Sequence, residues 1–457
     1  MKFLEFEIPD ERMAQIRAAR EKHREAYYAK AREVIGDAGV TALREFMVAY
    51  DERVYLLLAS LWDGEVGGFY YSRSGRDTDG YLPDIESTVQ TMVFIGSSGL
   101  VPGHYKDYTP DFMKEKLIKF AKSLQDPEDG YFYHPQWGQN IIVSRRSRDI
   151  NWATQMLKNF DATPDYPTAY ERLAATSDNG AEKSPLPEHL TSIEKFKKYM
   201  EQFDAPDHPN KYCVHNNSYR FGNFISSQRD EIKSAGKEYI DYLISWLNER
   251  QREDNGAWEP GLGYNPVNGL MKISLVYAPL GLTVPNIEKA IITAISGVTT
   301  DENPGWVCCF YNPWITVNML LGNAAANGSV EISEKLRKTV IDNSADMIRK
   351  TGEKVRVFAK CDGGFSYLPN RSVAGSQMAP VAPEELAESD VNSTCIASTG
   401  ALKNICDTLK IPAIPMFCRE DGELFFELIE KKGANRKIHP IPERMKNRSK
   451  EKNPMLG

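Results

Sequence analysis

The segment LPDIEST places two carboxylates, Asp84 and Glu86, directly after a loop that holds Tyr70, Tyr71, Arg73, Arg76 and Asp77. A carboxylate at a helix N-terminus stays ionised, whereas one set against aromatic rings keeps its proton, so two like groups can serve as base and acid. Asp84 and Glu86 lie two apart and are expected to point to different sides of one helix. A hydrolytic pair would therefore draw its second carboxyl from Asp149 or Asp390. The competing reading of Asp84, Asp149 and Asp390 is that they cap helices by accepting from free backbone N–H groups. For Glu86 it is a structural pair with an arginine.

SRRSRDINW (144–152) sets Arg145, Arg146 and Arg148 within four positions. Such a run forms either a solvated turn or a guanidinium clamp for carboxylate, sulfate or phosphate. The preceding YFYHPQWG offers Tyr131, Tyr133, His134 and Trp137, which either stack on a sugar face or close the core. HNNSYRFGNF (215–224) collects His215, Asn216, Tyr219 and Arg220. Elimination at a uronic acid needs a neutralised substrate carboxylate, a base for the C5 proton and an acid at the leaving oxygen. Asn216, His215, Tyr219 and Arg146 supply those residue types. Tyr71, Arg76, Tyr133, His134, Trp137, Trp258 and Asn392 are candidate substrate contacts. The seven histidines form no HxH, HExxH or HxxxH pattern, so no metal and no cofactor are expected. GxxxxGK[ST] and GxSxG are absent as well.

These residues recur at regular places. FAKSLQDPEDGYFYHP (120–135) and WLNERQREDNGAWEP (246–260) share an aromatic residue, a Gln five later, a Gly five after that and an aromatic two further on. Shorter forms are LWDGEVGGFYYS, NPGWVCCFYNP and AKCDGGFSYLP, and KYCVHNNSYRFGNF lacks the leading glycine. Charged amphipathic stretches precede the loops. Stretches apolar on nearly every face follow them, opened by Asp84, Asp149, Asn265, Asn312 and Asp390. Helices apolar all round are buried, so the pattern predicts an all-α protein of about six helix pairs, an inner ring inside an outer one. The expected organisation is two N-terminal helical stretches over 1–60, the ring over 61–435 and a basic tail over 436–457. A polar excursion is expected over 161–190.

The Gln, acidic-or-amide, Gly, aromatic loops resemble the repeat of α/α toroids such as squalene-type terpenoid cyclases and protein-prenyltransferase β subunits. Toroid-type polysaccharide lyases and glycoside hydrolases are similar in architecture. The resemblance implies an (α/α)6 toroid with inner-helix N-termini around one cavity. It does not carry over cyclase or transferase chemistry, because Asp-x-Asp-Asp is absent and ESDVNSTCIAS has no His. The net charge of −7 and pI near 5.7 argue against nucleic acid as a partner. No apolar run reaches the roughly 20 residues of a membrane span. Seven cysteines without a CxxC pair, and an N-terminus without signal-peptide features, fit a cytoplasmic protein. A homo-oligomer is compatible with all of this. The function expected is cleavage of a glycosidic bond in an oligo- or polysaccharide, with elimination at an anionic uronate ahead of hydrolysis. The alternatives are a terpenoid cyclase-like or prenyl-binding enzyme and a non-catalytic toroidal binding protein.

Overall fold

The repeated glutamines and glycines explain how one helix pair is fastened to the next. Gln125 reaches across its loop to the backbone of Tyr166, donating to the carbonyl at 2.8 Å and accepting from the N–H at 3.0 Å. Gln251 does the same work with the carbonyls of Gly256 and Pro285, at 2.8 and 2.7 Å. Gly130 (φ +75°) and Gly256 (φ +66°) follow at equivalent places. A Cβ there would come within 2.3 Å of Pro167 O and 2.5 Å of Ala290 N, respectively. Only glycine satisfies both the positive φ and the close backbone approach.

A computed structural model describes residues 1–177, 187–376 and 379–432. These residues are mostly α-helical, and the strands among them are two-residue arms of three hairpins. Amphipathic helices Asp111–Ser123, Lys237–Arg250 and Ser344–Phe358 each show one charged face. They are interspersed with helices Ile85–Ser97, Val143–Asn159, Ser218–Ser227, Tyr264–Tyr277, Cys308–Asn327 and the Val391–Cys395 to Ala401–Leu409 run. Among the latter, Ile85–Ser97 and Tyr264–Tyr277 bury most of their length, as their all-round apolar sequences require, whereas Cys308–Asn327 buries one side.

These helices pack side by side. Ile85–Ser97 packs on Val143–Asn159, Ser218–Ser227 on Tyr264–Tyr277, Tyr264–Tyr277 on Cys308–Asn327, and Val391–Cys395 back on Ile85–Ser97. Gly269 lies against Ser218 and Gly222 against Lys272 and Ile273, so that pair runs parallel at close range. The N-terminal helix Asp10–Met47 packs on Ser344–Phe358 and shares one apolar core with the rest of the chain. Its buried Arg20 ties it to two later helices by donating to Asp421 at 3.0 Å and to Glu52 at 3.4 Å. Among the described residues no helix is long and apolar enough to cross a membrane.

Two expected helix starts are corrected. Asp149 lies inside Val143–Asn159, which begins six residues earlier because Arg145 and Arg148 are helical and not in a turn. Asn312 likewise lies inside Cys308–Asn327, in spite of Pro313. Asp84 and Asp390 do cap their helices, and Asn265 is the second residue of its helix. The 161–190 excursion includes helix Ala169–Ser177, and its 178–186 portion lies outside the described residues, as does the 436–457 tail.

Candidate functional site

Asp84 and Asp390 occupy equivalent places in the D-x-x-S-T segments DIEST and DVNST, a match that could have been read in the sequence. Asp84 accepts from Ser87 N at 3.0 Å and Asp390 from Ser393 N at 2.7 Å. Thr88 and Thr394 then hold Phe69 N and Phe365 N, at 2.9 and 3.0 Å. Both segments dock a small hairpin onto the start of a buried helix.

Around the first of them lies a sealed ionic cluster. Arg145 has no exposed surface and donates to Glu86 at 2.6 Å, Asp149 at 2.8 Å, Asp84 at 3.3 Å and the Ser376 carbonyl at 2.8 Å. Glu86 also accepts from Arg148 at 2.8 Å and from Ser376 Oγ at 3.2 Å. Asp84 and Glu86 thus converge on one guanidinium, contrary to the expectation that they point apart. Asp84 sits at the cap, off the helical rotation that separates positions two apart. Three carboxylates share Arg145, and burial raises the Asp149 pKa to about 7 against the pull of that guanidinium. Asp390, buried behind Tyr71, is raised by burial to about 7 as well. The Arg145 guanidinium lies 5.5 Å over the Trp137 ring, which belongs to a small apolar cluster with Tyr71, Ala379 and Val381.

Several expected substrate contacts belong to this packing. His134 is buried, stacks on Trp137 at 4.0 Å and meets the Pro83 carbonyl at 2.9 Å, and burial drives its pKa down to about 3. Neither ring is available to a sugar. Trp258 is a core residue with no exposed surface, its Nε1 donating to Leu247 O at 2.9 Å. Arg76 turns away to Glu5 and the Ser60 carbonyl, both at 2.9 Å. Tyr133 donates to Asp129 at 2.7 Å, Arg146 lies 5.0 Å over the Tyr131 ring, and Asn392 accepts from Gln90 at 3.4 Å.

The open chemistry lies alongside, in a cavity of about 720 Å³. Its polar wall is made by Asn216, Asn217, Asn265, Asn268 and Asn312, with Arg220 and Lys272. Tyr219, Tyr367, Trp306 and Cys308 complete that end, and Met271, Leu275, Ile315 and Met319 line the remainder. Asn216 and Tyr219 of the expected set are therefore here. His215 is not a lining residue, and its Nε2 stands 3.6 Å from Asp204. Lys272 Nζ is 5.3 Å from the Tyr219 ring centre. Burial lowers the Lys272 pKa and raises that of Tyr219, while Tyr367 is pushed up to about 12 and Cys308 to about 11, burial being the main cause. Asp390 accepts from Tyr367 N at 3.1 Å, so the capped helix also fixes this tyrosine's backbone. Glu259 is the carboxylate in the lining, and Ser218 Oγ donates to it at 2.8 Å.

Sequence reasoning missed Lys272, although a single lysine in the apolar run NPVNGLMKISLVYA was a usable signal. Tyr367 and Trp306 sat unremarked in repeat loops. A cleft of about 800 Å³ between the N-terminal helix and residues 413–420 gathers few polar groups toward one point, so volume alone does not make it the site. Among the described residues no group of three or more His, Cys, Asp or Glu is placed to hold a metal ion. Comparison with protein-family models, curated proteins and solved structures returns no match.

Proposed function

We propose that the helix pairs close into an α/α toroid and that the asparagine-lined cavity cleaves a glycosidic bond beside a uronic acid by elimination. The observation that carries this reading is the lining itself: five asparagines, two cations and two tyrosines, with one carboxylate already engaged by Ser218. Amides and cations hold a substrate carboxylate and drain charge from it, which acidifies the adjacent C5–H. Tyr219, as its phenolate beside the Lys272 ammonium, takes the C5 proton. The C5–H electrons form the C4=C5 double bond, the C4–O bond breaks, and Tyr367 gives its proton to the departing oxygen. The Tyr367 phenolate then recovers a proton, and Tyr219 returns one to solvent.

Hydrolysis is less well served, because it needs two free carboxyl groups across the bond. Asp84, Glu86 and Asp149 are committed to Arg145, and Glu259 to Ser218. A wholly hydrocarbon ligand, as in the terpenoid reading, would desolvate the amides and cations of this lining and offer them no hydrogen bonds in return. The test is a panel of uronate and neutral oligosaccharides, followed by the absorbance of the unsaturated product and by reducing ends. New reducing ends without that absorbance would replace elimination by hydrolysis, and no change in either would remove the carbohydrate reading.

A further inference from the structure

The cavity is polar at one end and apolar at the other, and the order along its helices is regular. On Tyr264–Tyr277 the lining residues run Asn265, Asn268, Met271, Lys272, Leu275; on Cys308–Asn327 they run Cys308, Asn312, Ile315, Met319. Both sets follow the three-and-four spacing of one helix face. Asn312 donates to Asn268 at 3.1 Å near the start of both helices, and Asn323, near the end of the second, bonds Val284 N and Leu282 O just past the end of the first, both at 2.9 Å, so the two helices run in the same direction. The amides of both helices therefore lie at one level and the aliphatic residues at another. Lys272 joins the polar level, since its ammonium reaches the Tyr219 ring and feels Cys308. From Asn268 to Leu275 is seven residues, about 10 Å of helix rise. Ile315 and Met319 are half-buried and Leu275 is 37% exposed, so these side chains retain surface that the protein does not cover.

A ligand polar throughout would use the amides and leave the aliphatic level facing water. We infer that the substrate is an amphiphile: a uronoside bound by its carboxylate at the amide end, whose anomeric carbon carries an apolar aglycone lying along Met271, Leu275, Ile315 and Met319. This rests on the uronate reading above. The aglycone is not the group that departs in the elimination, since the bond broken is at C4, and it stays on the unsaturated product.

The test is titration calorimetry of the full-length protein with alkyl glucuronides of increasing chain length. These bear no sugar at C4 and are not consumed. Alkyl glucosides of the same lengths serve as the uncharged series. Affinity is expected to rise about fourfold per added methylene, the value for full burial of one CH2, with an increasingly negative heat-capacity change. The gain should stop once the chain outruns the aliphatic level, which spans four residues on each helix, about 6 Å. Leu275→Gln, at the exposed end where folding tolerates it, should end the gain at a shorter chain. Glucuronide affinity that is flat with chain length would overturn the aglycone assignment and leave the uronate site standing. Glucosides that match the glucuronides in affinity at every length, both rising with length, would uphold the apolar half and overturn the uronate reading. No binding by either series would remove both.

Discussion

Arg145→Met removes the one guanidinium that three buried carboxylates share, while keeping much of the side-chain volume. Asp84, Glu86 and Asp149 are each exposed by 2% or less, and in the variant the neutral donors Ser87 N and Ser376 Oγ remain on Asp84 and Glu86 while Arg148, on Glu86, is the cation left from the pairs described above. Breaking a buried ion pair by removing one partner costs about 3–5 kcal/mol, because the remaining charge must be protonated or stay unpaired. Here at least two carboxylates lose their cation, so the loss should fall at the upper end, about 5 kcal/mol. It must also depend on pH. Each carboxylate left without Arg145 has a higher pKa in the folded state, so the destabilisation is largest at neutral pH and shrinks as acid supplies protons. Urea denaturation of both proteins at pH 7.5 and about pH 5 measures this. Adding Asp149→Asn to Arg145→Met should recover part of the loss at pH 7.5. A loss below about 1 kcal/mol, or one equal at both pH values, would refute the argument that Arg145 neutralises this cluster.

Three further outcomes are expected. Tyr219→Phe should lower kcat about 10²–10⁴-fold on a cleavable uronate substrate, while His215→Ala, facing Asp204 outside the cavity, changes it little; the reverse ranking would return the base role to His215. Since burial raises the Tyr219 pKa, kcat/KM should climb with pH through the neutral and mildly alkaline range, and a bell centred on acidic pH would point to carboxyl catalysis instead. Asp390 has a folded pKa raised to about 7 over an unfolded value of about 3.9, so its contribution to stability is full below the latter and lost as pH rises through the former. Asp390→Asn should flatten that part of the stability profile, and an unchanged slope between about pH 4 and 7 would show that another group carries it.

Much of the scaffold is legible in the sequence because backbone demands are local. Gln125 and Gln251 sit five residues before Gly130 and Gly256 because each loop needs one side chain to tie it to the next segment and one residue without a Cβ. The caps Asp84 and Asp390 are readable for the same reason. The site is less legible, because its members are brought together by packing. Arg145, in a run that resembles a solvated turn, became the most buried charge in the cluster only because Asp84 and Glu86 arrive from some 60 residues away. His134 and Trp258 have the composition of a sugar platform but face inward. Tyr219 and Lys272 meet across two helices whose close approach depends on Gly222 and Gly269.

The most direct test of the cavity assignment is a crystal of Tyr219→Phe, slowed in turnover, soaked with a uronate oligosaccharide. The account predicts the uronate carboxylate among Arg220, Lys272 and the asparagine amides, with C5 facing the position of the Tyr219 hydroxyl and the C4 oxygen facing Tyr367. Sugar bound instead in the cleft beside residues 413–420, or a hydrocarbon from the host filling the cavity, would contradict it.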